Sequence, residues 1–249
     1  MKPKKKKLTR EDEQELLEIT NKTFNPDILS SIHIEIKCKS ENQKKLLNSI
    51  KENDVTICIG PAGCGKTILS CAEALILLKT HRDIYSKIVL TKSITQLRNE
   101  DIGILPGDEK DKLKLYMASY MDSFNKLIGE YLTNKLIELG LIKFEALGTL
   151  RGRSFDNVIL ISDEFQNVNH DNAKTLLTRM SQNSKFIILG DTDQIDIKNK
   201  KDSSLEFIHK KINENPMDGV GAVELTNSDI VRHKLTSYFI NLFNELKTL

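Results

Sequence analysis

The sequence predicts an α/β fold in which a mostly parallel β-sheet is covered by helices on both faces, with a short N-terminal appendage. Short apolar runs that are typical of strands alternate with longer amphipathic segments that are typical of helices. This alternation indicates a parallel sheet, because parallel neighbours are joined by crossover helices. Ligands bind such sheets at the carboxyl ends of the strands, so functional residues are expected in the loops there.

Length and composition exclude several functional classes. The chain has 249 residues, 39% of them hydrophobic, which is enough for one large domain with a real core. Its 37 basic and 35 acidic residues give a net charge of +2, so any nucleic-acid site must be local. No apolar run approaches the roughly 20 residues of a membrane span, and no membrane partner is expected. Four cysteines without C-x-x-C spacing indicate reduced thiols in a cytoplasmic protein.

Two regions are predicted along the chain. Residues 1–39 form a lysine-rich tail and an appendage, with a helix over 11–20 and an alternating strand over 32–37. Residues 40–249 form the main domain. Its predicted helices begin near Lys44, at Ile68 and near Ser228, and its predicted strands lie at 55–59, 87–91, 142–147, 158–162, 185–190 and 220–225.

A glycine-rich loop follows the first strand of the main domain and precedes a helix. It fits the pattern G-x-x-x-x-G-K-[ST], in the strand and helix context that a phosphate-binding loop requires. Backbone N–H groups of such a loop face phosphate at a helix N-terminus. Lys66 is expected to meet the β- and γ-phosphates of ATP, and the Thr67 hydroxyl to bind Mg²⁺. The loop residues are Gly60, Pro61, Ala62, Gly63, Cys64, Gly65, Lys66 and Thr67.

Polar residues end two further apolar strands. Asp163 is predicted to hold Mg²⁺, and Glu164 to orient or deprotonate the attacking water. Gln194 is predicted to sense the γ-phosphate or the water. A solvated strand end at Asp163 and a plain turn at 190–191 are the alternatives. A water-activating glutamate beside the metal site favours hydrolysis over a small-molecule kinase.

Two loop-associated residues carry weaker expectations. Gln43 precedes a helix and offers both a donor and an acceptor to an adenine edge, although helix capping explains it equally well. Cys64 lies at a helix N-terminus, where the dipole favours thiolate, so thiol sensitivity with protection by ATP is expected. An inert buried thiol is the alternative.

Taken in order, the motifs resemble those of the PhoH family of ATPases. They are the loop 60–67 and the segments 103–107, 150–153, 163–167, 177–179, 190–196 and 229–233. Phe165 and the segment 91–93 depart from that pattern, since alanine and Thr-Arg-Pro are usual there. The chain's length and its Lys/Ile/Asn richness suggest a compact phage-type member.

The resemblance implies a RecA-like core similar to the first motor domain of superfamily-one helicases, a ring-shaped oligomer and a link to RNA metabolism. Those helicases place ATP between two motor domains, whereas only one is predicted here. A neighbouring subunit is therefore expected to supply an arginine, which makes a homohexameric ring the expected assembly. Arg232 is the first candidate for this arginine and Arg179 the second; a salt bridge is the alternative for Arg232.

The predicted function is a Mg²⁺-dependent ATP hydrolase that moves on or remodels single-stranded nucleic acid, RNA preferred, as a helicase does. The expected nucleic-acid contacts are basic or polar residues in two loops; a solvated basic face is the alternative. A regulatory or scaffold ATPase that acts on protein partners is the rival function. The residues expected to contact nucleic acid are Lys92, Ser93, Gln96, Arg151 and Arg153.

Overall fold

A computed structural model describes residues 27–93, 117–150 and 152–231. The chain divides into two compact units, residues 1–33 and 34–249. The first unit includes a one-turn helix, α1 (Asp27–Ser30). The second unit contains the sheet and the site. No helix in the described part of the chain is long and apolar enough to cross a membrane.

A six-stranded sheet forms the centre of the second unit. Its order is β3-β2-β4-β5-β1-β6, and each pair of neighbours is parallel. This confirms the predicted parallel sheet, and with the glycine-rich loop after β1 it is the RecA-like P-loop fold. The strands are β1 (Val55–Ile59), β2 (Lys87–Lys92), β3 (Ile142–Phe144), β4 (Val158–Asp163), β5 (Lys185–Gly190) and β6 (Val220–Glu224).

The described part of the second unit has six helices, and local chemistry favours the start of three of them. The Ser40 hydroxyl accepts a hydrogen bond from Gln43 N at the start of α2, and the Asn169 side chain caps α6 in the same way. The start of α3 follows Gly65, whose φ of 95° is a left-handed value that favours glycine. The helices are α2 (Glu41–Glu52), α3 (Lys66–Thr80), α4 (Ala118–Ile128), α5 (Glu130–Glu138), α6 (His170–Leu177) and α7 (Leu205–Glu214).

The core lies on both faces of the sheet. Leu160 and Ile188 belong to a buried cluster with Leu176 of α6 and Leu205 of α7. The intervening residue Ile161 is also fully buried and therefore faces the opposite layer, where α3 packs on the sheet. Because both faces are covered, β4 and β5 are apolar along nearly their whole length, which is why their runs were recognisable in the sequence.

Three sequence predictions need correction. The segment 32–37 alternates in hydrophobicity but is not a strand and pairs with none of the described strands. The strand predicted over 142–147 ends at Phe144, since it is an edge strand with β2 as its single partner, and a 3₁₀ turn follows at Leu147–Leu150. The helix predicted from near Ser228 does not begin within 228–231, where a 3₁₀ turn, Asn227–Asp229, precedes extended chain, and the rest of that helix, towards Leu246, lies outside the described residues. The helix predicted over 11–20 lies outside the described residues.

Candidate active site

The glycine-rich loop is fixed to the sheet at the carboxyl ends of its strands. Gly60 N donates to Gly190 O at 3.2 Å, which joins the loop to the end of β5. A Cβ on Gly60 would come within 2.7 Å of Leu225 O, so no larger residue fits without displacing the backbone. The loop then turns through Gly65 into α3. Its backbone thus leads into a helix N-terminus, the geometry that binds anions.

Lys66 and Thr67 open α3 and face the loop and β4. Lys66 Nζ donates to Gly60 O at 2.6 Å and to Pro61 O at 2.9 Å. Thr67 Oγ1 donates to Asp163 Oδ2 at 2.7 Å, across 96 positions of sequence. The two residues predicted to bind the metal are therefore in direct contact.

Asp163 lies at the end of β4 and is 7% exposed. Burial raises the pKa of its carboxyl group, and the hydrogen bond from Thr67 opposes this only in part. Asp163 Oδ1 also accepts a hydrogen bond from Glu164 N at 2.9 Å. A cation beside the carboxylate would favour its charged form, so the environment of Asp163 fits a site for a positive ion.

Glu164 has a strained backbone and a side chain with two partners. Its φ of 55° and ψ of 34° are left-handed values, which are uncommon for a residue with a side chain. Glu164 Oε2 accepts a hydrogen bond from Gln166 Nε2 at 2.7 Å, and Oε1 lies 3.6 Å from Lys92 Nζ. The carboxylate is thus held in one orientation, with a third of the side chain still exposed.

The loop after β5 carries the predicted sensor. Gln194 Nε2 donates to Asp191 Oδ2 at 2.9 Å, and Asp193 N donates to Asp191 Oδ1 at 3.0 Å. Asp191 is 7% exposed and organises this turn. Gln194, Asp163 and Glu164 thus lie in one cleft, at the carboxyl ends of the central strands.

These residues line one cleft of about 460 Å³. The phosphate-binding loop forms one wall, and the ends of β4 and β5 contribute Asp163, Glu164 and Asp191. The cleft's size and its polar residues suit a nucleoside triphosphate.

One face of α4 completes the cleft and was not predicted from the sequence. Ser119, Ser123 and Lys126 line the cleft, while Tyr120 and Phe124 are fully buried on the other side of the helix. The spacing of 119, 123 and 126 matches one helical face and was a usable signal. Without knowing that α4 faces the loop, however, nothing separated these residues from an ordinary solvated face.

The segment 225–231, here called the C-terminal strap, crosses beside the loop. Leu225 N donates to Ile59 O at 2.9 Å, and Val231 N donates to Gly63 O at 3.1 Å. Asp229 accepts hydrogen bonds from Thr226 N at 2.6 Å and from Asn42 Nδ2 at 3.0 Å. The strap therefore ties α2 to the phosphate-binding loop.

Comparison with known proteins agrees with this geometry. A family model described as PhoH-like protein matches residues 35–244. The chain belongs to the PhoH family.

Several PhoH relatives are similar over most of this chain. It is 35% identical over 210 residues to the PhoH-like protein of Bacillus subtilis (84% of this chain, 64% of that protein) and 33% identical over 217 residues to the PhoH-like protein of Mycobacterium tuberculosis strain H37Rv (87% and 60%). The protein PhoH of Escherichia coli K12 is 31% identical over 211 residues (84% and 58%). The chain thus spans about three fifths of the length of these relatives.

Two solved structures resemble the PhoH-family chain more distantly. The large terminase of a thermophilic bacteriophage aligns with a TM-score of 0.47 and 12% sequence identity. The alignment covers 79% of this chain and 48% of the terminase chain. The Pif1 helicase of Candida albicans aligns with a TM-score of 0.41 and 18% identity over 85% and 44%. The fold assignment rests on the sheet itself, because both scores are below 0.5.

Gln43 lies behind the phosphate-binding loop of this PhoH-family chain and is 3% exposed. Its Nε2 donates to Cys64 O at 2.9 Å, and its Oε1 accepts from Lys39 N at 2.7 Å. These bonds connect the loop to the start of α2. Contact of Gln43 with adenine stays a prediction.

Cys64 is fully buried, which contradicts the expected reactive thiolate. Burial raises the pKa of its thiol, and the positive charge of Lys66 offsets only part of that effect. The alternative of an inert buried thiol fits the structure better, because burial outweighs the helix dipole.

The residues predicted to contact nucleic acid do not form one described surface. Lys92 lines the cleft near Glu164, and Ser93 Oγ donates to Asn167 O at 2.9 Å. Arg153 forms an ion pair with Glu145 and lies 5.7 Å from the centre of the Phe155 ring. Arg153 is thus paired within the chain, and its contact with nucleic acid stays a prediction. Gln96 and Arg151 lie outside the described residues.

The predicted arginines are only partly described. Arg179 is half-buried after α6, and its Nε donates to Thr175 O at 3.3 Å. It does not line the cleft of its own chain. Arg232 and the segment 103–107 lie outside the described residues, although the neighbouring Val231 lines the cleft.

Proposed function

We propose that the protein is a Mg²⁺-dependent ATP hydrolase whose reaction takes place in the cleft between the phosphate-binding loop and β4. The observation that carries this proposal is the contact of Thr67 with Asp163 beside Glu164, because it brings two metal ligands and a water-activating group to one end of the loop. Membership of the PhoH family supports it.

The side chains present fit Mg²⁺. Thr67 contributes a hydroxyl oxygen and Asp163 a carboxylate oxygen, the donors that this ion prefers, and Mg²⁺ usually retains water and phosphate as its other ligands. When bound, the ion neutralises charge on the phosphates. Lys66 and the loop's N–H groups bind the phosphates, and Lys66 exchanges its carbonyl acceptors for phosphate oxygens.

Glu164 is proposed as the residue that orients and deprotonates the attacking water. Its carboxylate is partly exposed to the cleft and is held by Gln166 and Lys92, so its oxygens are available in a fixed place. Gln194 is proposed to sense the γ-phosphate from the adjacent loop. A small-molecule kinase is disfavoured, because an oriented glutamate at the cleft promotes attack by water.

The work driven by hydrolysis is proposed to be movement on, or remodelling of, single-stranded nucleic acid, with RNA preferred. Lys92 and Ser93 support this proposal: Lys92 ends β2 and lines the cleft, and Ser93 follows it at the carboxyl end of the same strand. Gln96, Arg151 and Arg153 are the further proposed contacts. A scaffold ATPase that acts on protein partners is the second candidate, favoured by the internal pairing of Arg153 with Glu145.

Phosphate release tests the two functions. The rate is measured with Mg²⁺ and ATP alone, with single-stranded RNA and with single-stranded DNA of the same sequence. Stimulation by RNA above DNA supports the first function. Hydrolysis that neither polymer changes supports the scaffold function, and transfer to an added small-molecule acceptor in place of water supports a kinase.

We also propose that the active form is a homohexameric ring in the cytoplasm. The support for a ring is that no arginine of the described residues lines the cleft, so we take the arginine from a neighbour, either Arg232 or Arg179. Four free cysteines support a reducing compartment.

A further inference from the structure

Gln166 occupies the centre of the hydrogen-bond network behind the cleft. Its side chain is fully buried. Oε1 accepts a hydrogen bond from Asp191 N at 3.0 Å, while Nε2 donates to Glu164 Oε2 at 2.7 Å and to Gln194 O at 3.1 Å. One amide therefore connects the end of β4 with the loop that follows β5.

The backbone around Gln166 is built to bring its amide to this place. The left-handed conformation of Glu164 turns the chain at the end of β4 into a 3₁₀ turn, Phe165–Asn167. Phe165 is fully buried in the core, which anchors the turn. The left-handed backbone is unfavourable for a residue with a side chain, and such strain persists where surrounding contacts hold it.

Gly190 makes room for the same side chain. A Cβ at position 190 would lie 2.5 Å from Gln166 Oε1 and 3.1 Å from Gln166 N. The same Cβ would lie even closer to Leu205 Cδ2, so the close approach of both Leu205 and Gln166 favours glycine at the end of β5. The ends of β4 and β5 and the 3₁₀ turn Phe165–Asn167 thus meet at the Gln166 amide.

We infer that Gln166 is a positioning residue that fixes the Glu164 carboxylate and couples it to the sensor loop 191–194. The inference rests on the proposed ATP hydrolysis. Gln166 is buried behind Glu164, so it acts on the reaction through Glu164, and the sensor loop influences Glu164 through the same amide. A displacement of the sensor loop moves Asp191 N and Gln194 O, and the shared amide transmits that movement to Glu164.

The first test replaces the amide without changing much volume. In Gln166→Met the turnover number for phosphate release is expected to fall about 10- to 100-fold, because a small misplacement of a catalytic group is enough for such a loss. The KM and the affinity for ATP should stay within about twofold of the wild-type values. The Tm should stay within a few degrees of the wild-type value. Gln182→Met, at an exposed position, is the matched control and should leave all of them unchanged.

A double-mutant cycle separates positioning from general stabilisation. If Gln166 acts through Glu164, then Gln166→Met should cause no further loss in single-turnover rate in the Glu164→Gln background. Should the methionine variant not fold, Gln166→Asn serves instead, since it keeps a buried amide but is too short to hold Glu164. The same kcat loss is expected.

Three results are distinguishable. A folded Gln166 variant with the wild-type turnover number overturns the inference, and so does a full additional loss in the Glu164→Gln background. Absence of phosphate release by the wild-type chain would instead contradict the proposed function and remove the basis of the inference with it.

Discussion

Lys66 illustrates how a single buried charge is held ready for a ligand. Its ammonium is directed at two carbonyl groups of its own loop, Gly60 O and Pro61 O. A buried ammonium needs such acceptors because loss of hydration is costly. Phosphate oxygens are charged and form stronger hydrogen bonds than carbonyls. The carbonyls therefore hold Lys66 in place without competing strongly with a phosphate.

The four cysteines are expected to differ in reactivity. Cys38 is partly exposed, whereas Cys58, Cys64 and Cys71 are fully buried. Burial raises the pKa of the Cys38 thiol as well, so access is what distinguishes this residue. A thiol reagent should therefore modify one residue per folded chain before the other three, and Cys38→Ser should abolish this phase. Absorbance after addition of a disulfide reagent measures it, with guanidinium-unfolded protein as the four-thiol control. A rapid phase that persists in Cys38→Ser would contradict the burial of at least one of Cys58, Cys64 and Cys71.

At the scale of elements, the Asp229 carboxylate adds side-chain hydrogen bonds to the backbone bonds that hold the C-terminal strap. Asp229 is 3% exposed. Burial alone would raise the pKa of Asp229, but hydrogen bonds from Ser40, Thr226 and Asn42 outweigh it and lower the pKa below the ordinary value of 3.8. The charged form is thus favoured by folding, and it stabilises the junction of the strap with α2.

This arrangement predicts a stability loss with a defined pH dependence. Asp229→Asn should lower the free energy of unfolding by about 1–3 kcal/mol at pH 7, since bonds to a charged acceptor weaken. Because the folded pKa is lowered, the wild-type advantage is full above the unfolded value of 3.8 and is lost as pH falls through the lower folded pKa.

Urea unfolding at several pH values measures the difference. The exposed Asp218→Asn is the matched control and should have little effect at any pH. A deficit of Asp229→Asn that stayed constant down to the most acidic pH at which the protein folds would show that the carboxylate charge is not what holds the strap.

The strands of the centre were predictable because both of their faces are buried. The runs 158–161 and 186–189 are apolar without interruption, as a sheet covered on two sides requires. The strand predicted over 32–37 was wrong because alternating hydrophobicity indicates that one face of a segment is buried but does not show that the segment pairs with a strand. The phosphate-binding loop was predictable because the spacing of its glycines, Lys66 and Thr67 in the sequence is the spacing that contact with phosphate requires.

The role of Gln166 was not predictable in the same way. It depends on the left-handed turn at Glu164 and on the approach of Gly190 from another strand, and neither follows from local spacing. The cleft-facing side of α4 was missed for the same reason. Contacts between distant segments decide these positions.

For the whole molecule, the assembly prediction can be tested by mixing subunits. Lys66→Ala subunits keep their arginines, and Arg232→Ala subunits keep their phosphate-binding loops. If a neighbour supplies Arg232, a mixture of the two inactive variants should recover hydrolysis at shared interfaces, because such an arginine is worth about 10³ to 10⁵ in rate. Phosphate release and sedimentation of the mixture measure this.

The C-terminal strap favours the opposite arrangement, in which Arg232 acts within its own chain. Val231 N is bonded to Gly63 O of the same chain, which places the residue before Arg232 at its own cleft. No recovery in the mixture, together with an active monomer in sedimentation, would contradict a ring with shared sites and support a contribution of Arg232 within one chain. Arg179→Ala in place of Arg232→Ala distinguishes the second candidate.

Mg²⁺-dependent phosphate release by Glu164→Gln, measured beside ATP binding, tests the proposed hydrolysis most directly. This variant should bind ATP as tightly as the wild-type protein and hydrolyse it at least about 100-fold more slowly, because the amide cannot take a proton from water. Lys66→Ala should lack nucleotide-dependent activity altogether, since it removes the phosphate contact. A Glu164→Gln variant that turned over at the wild-type rate would contradict the assignment of Glu164.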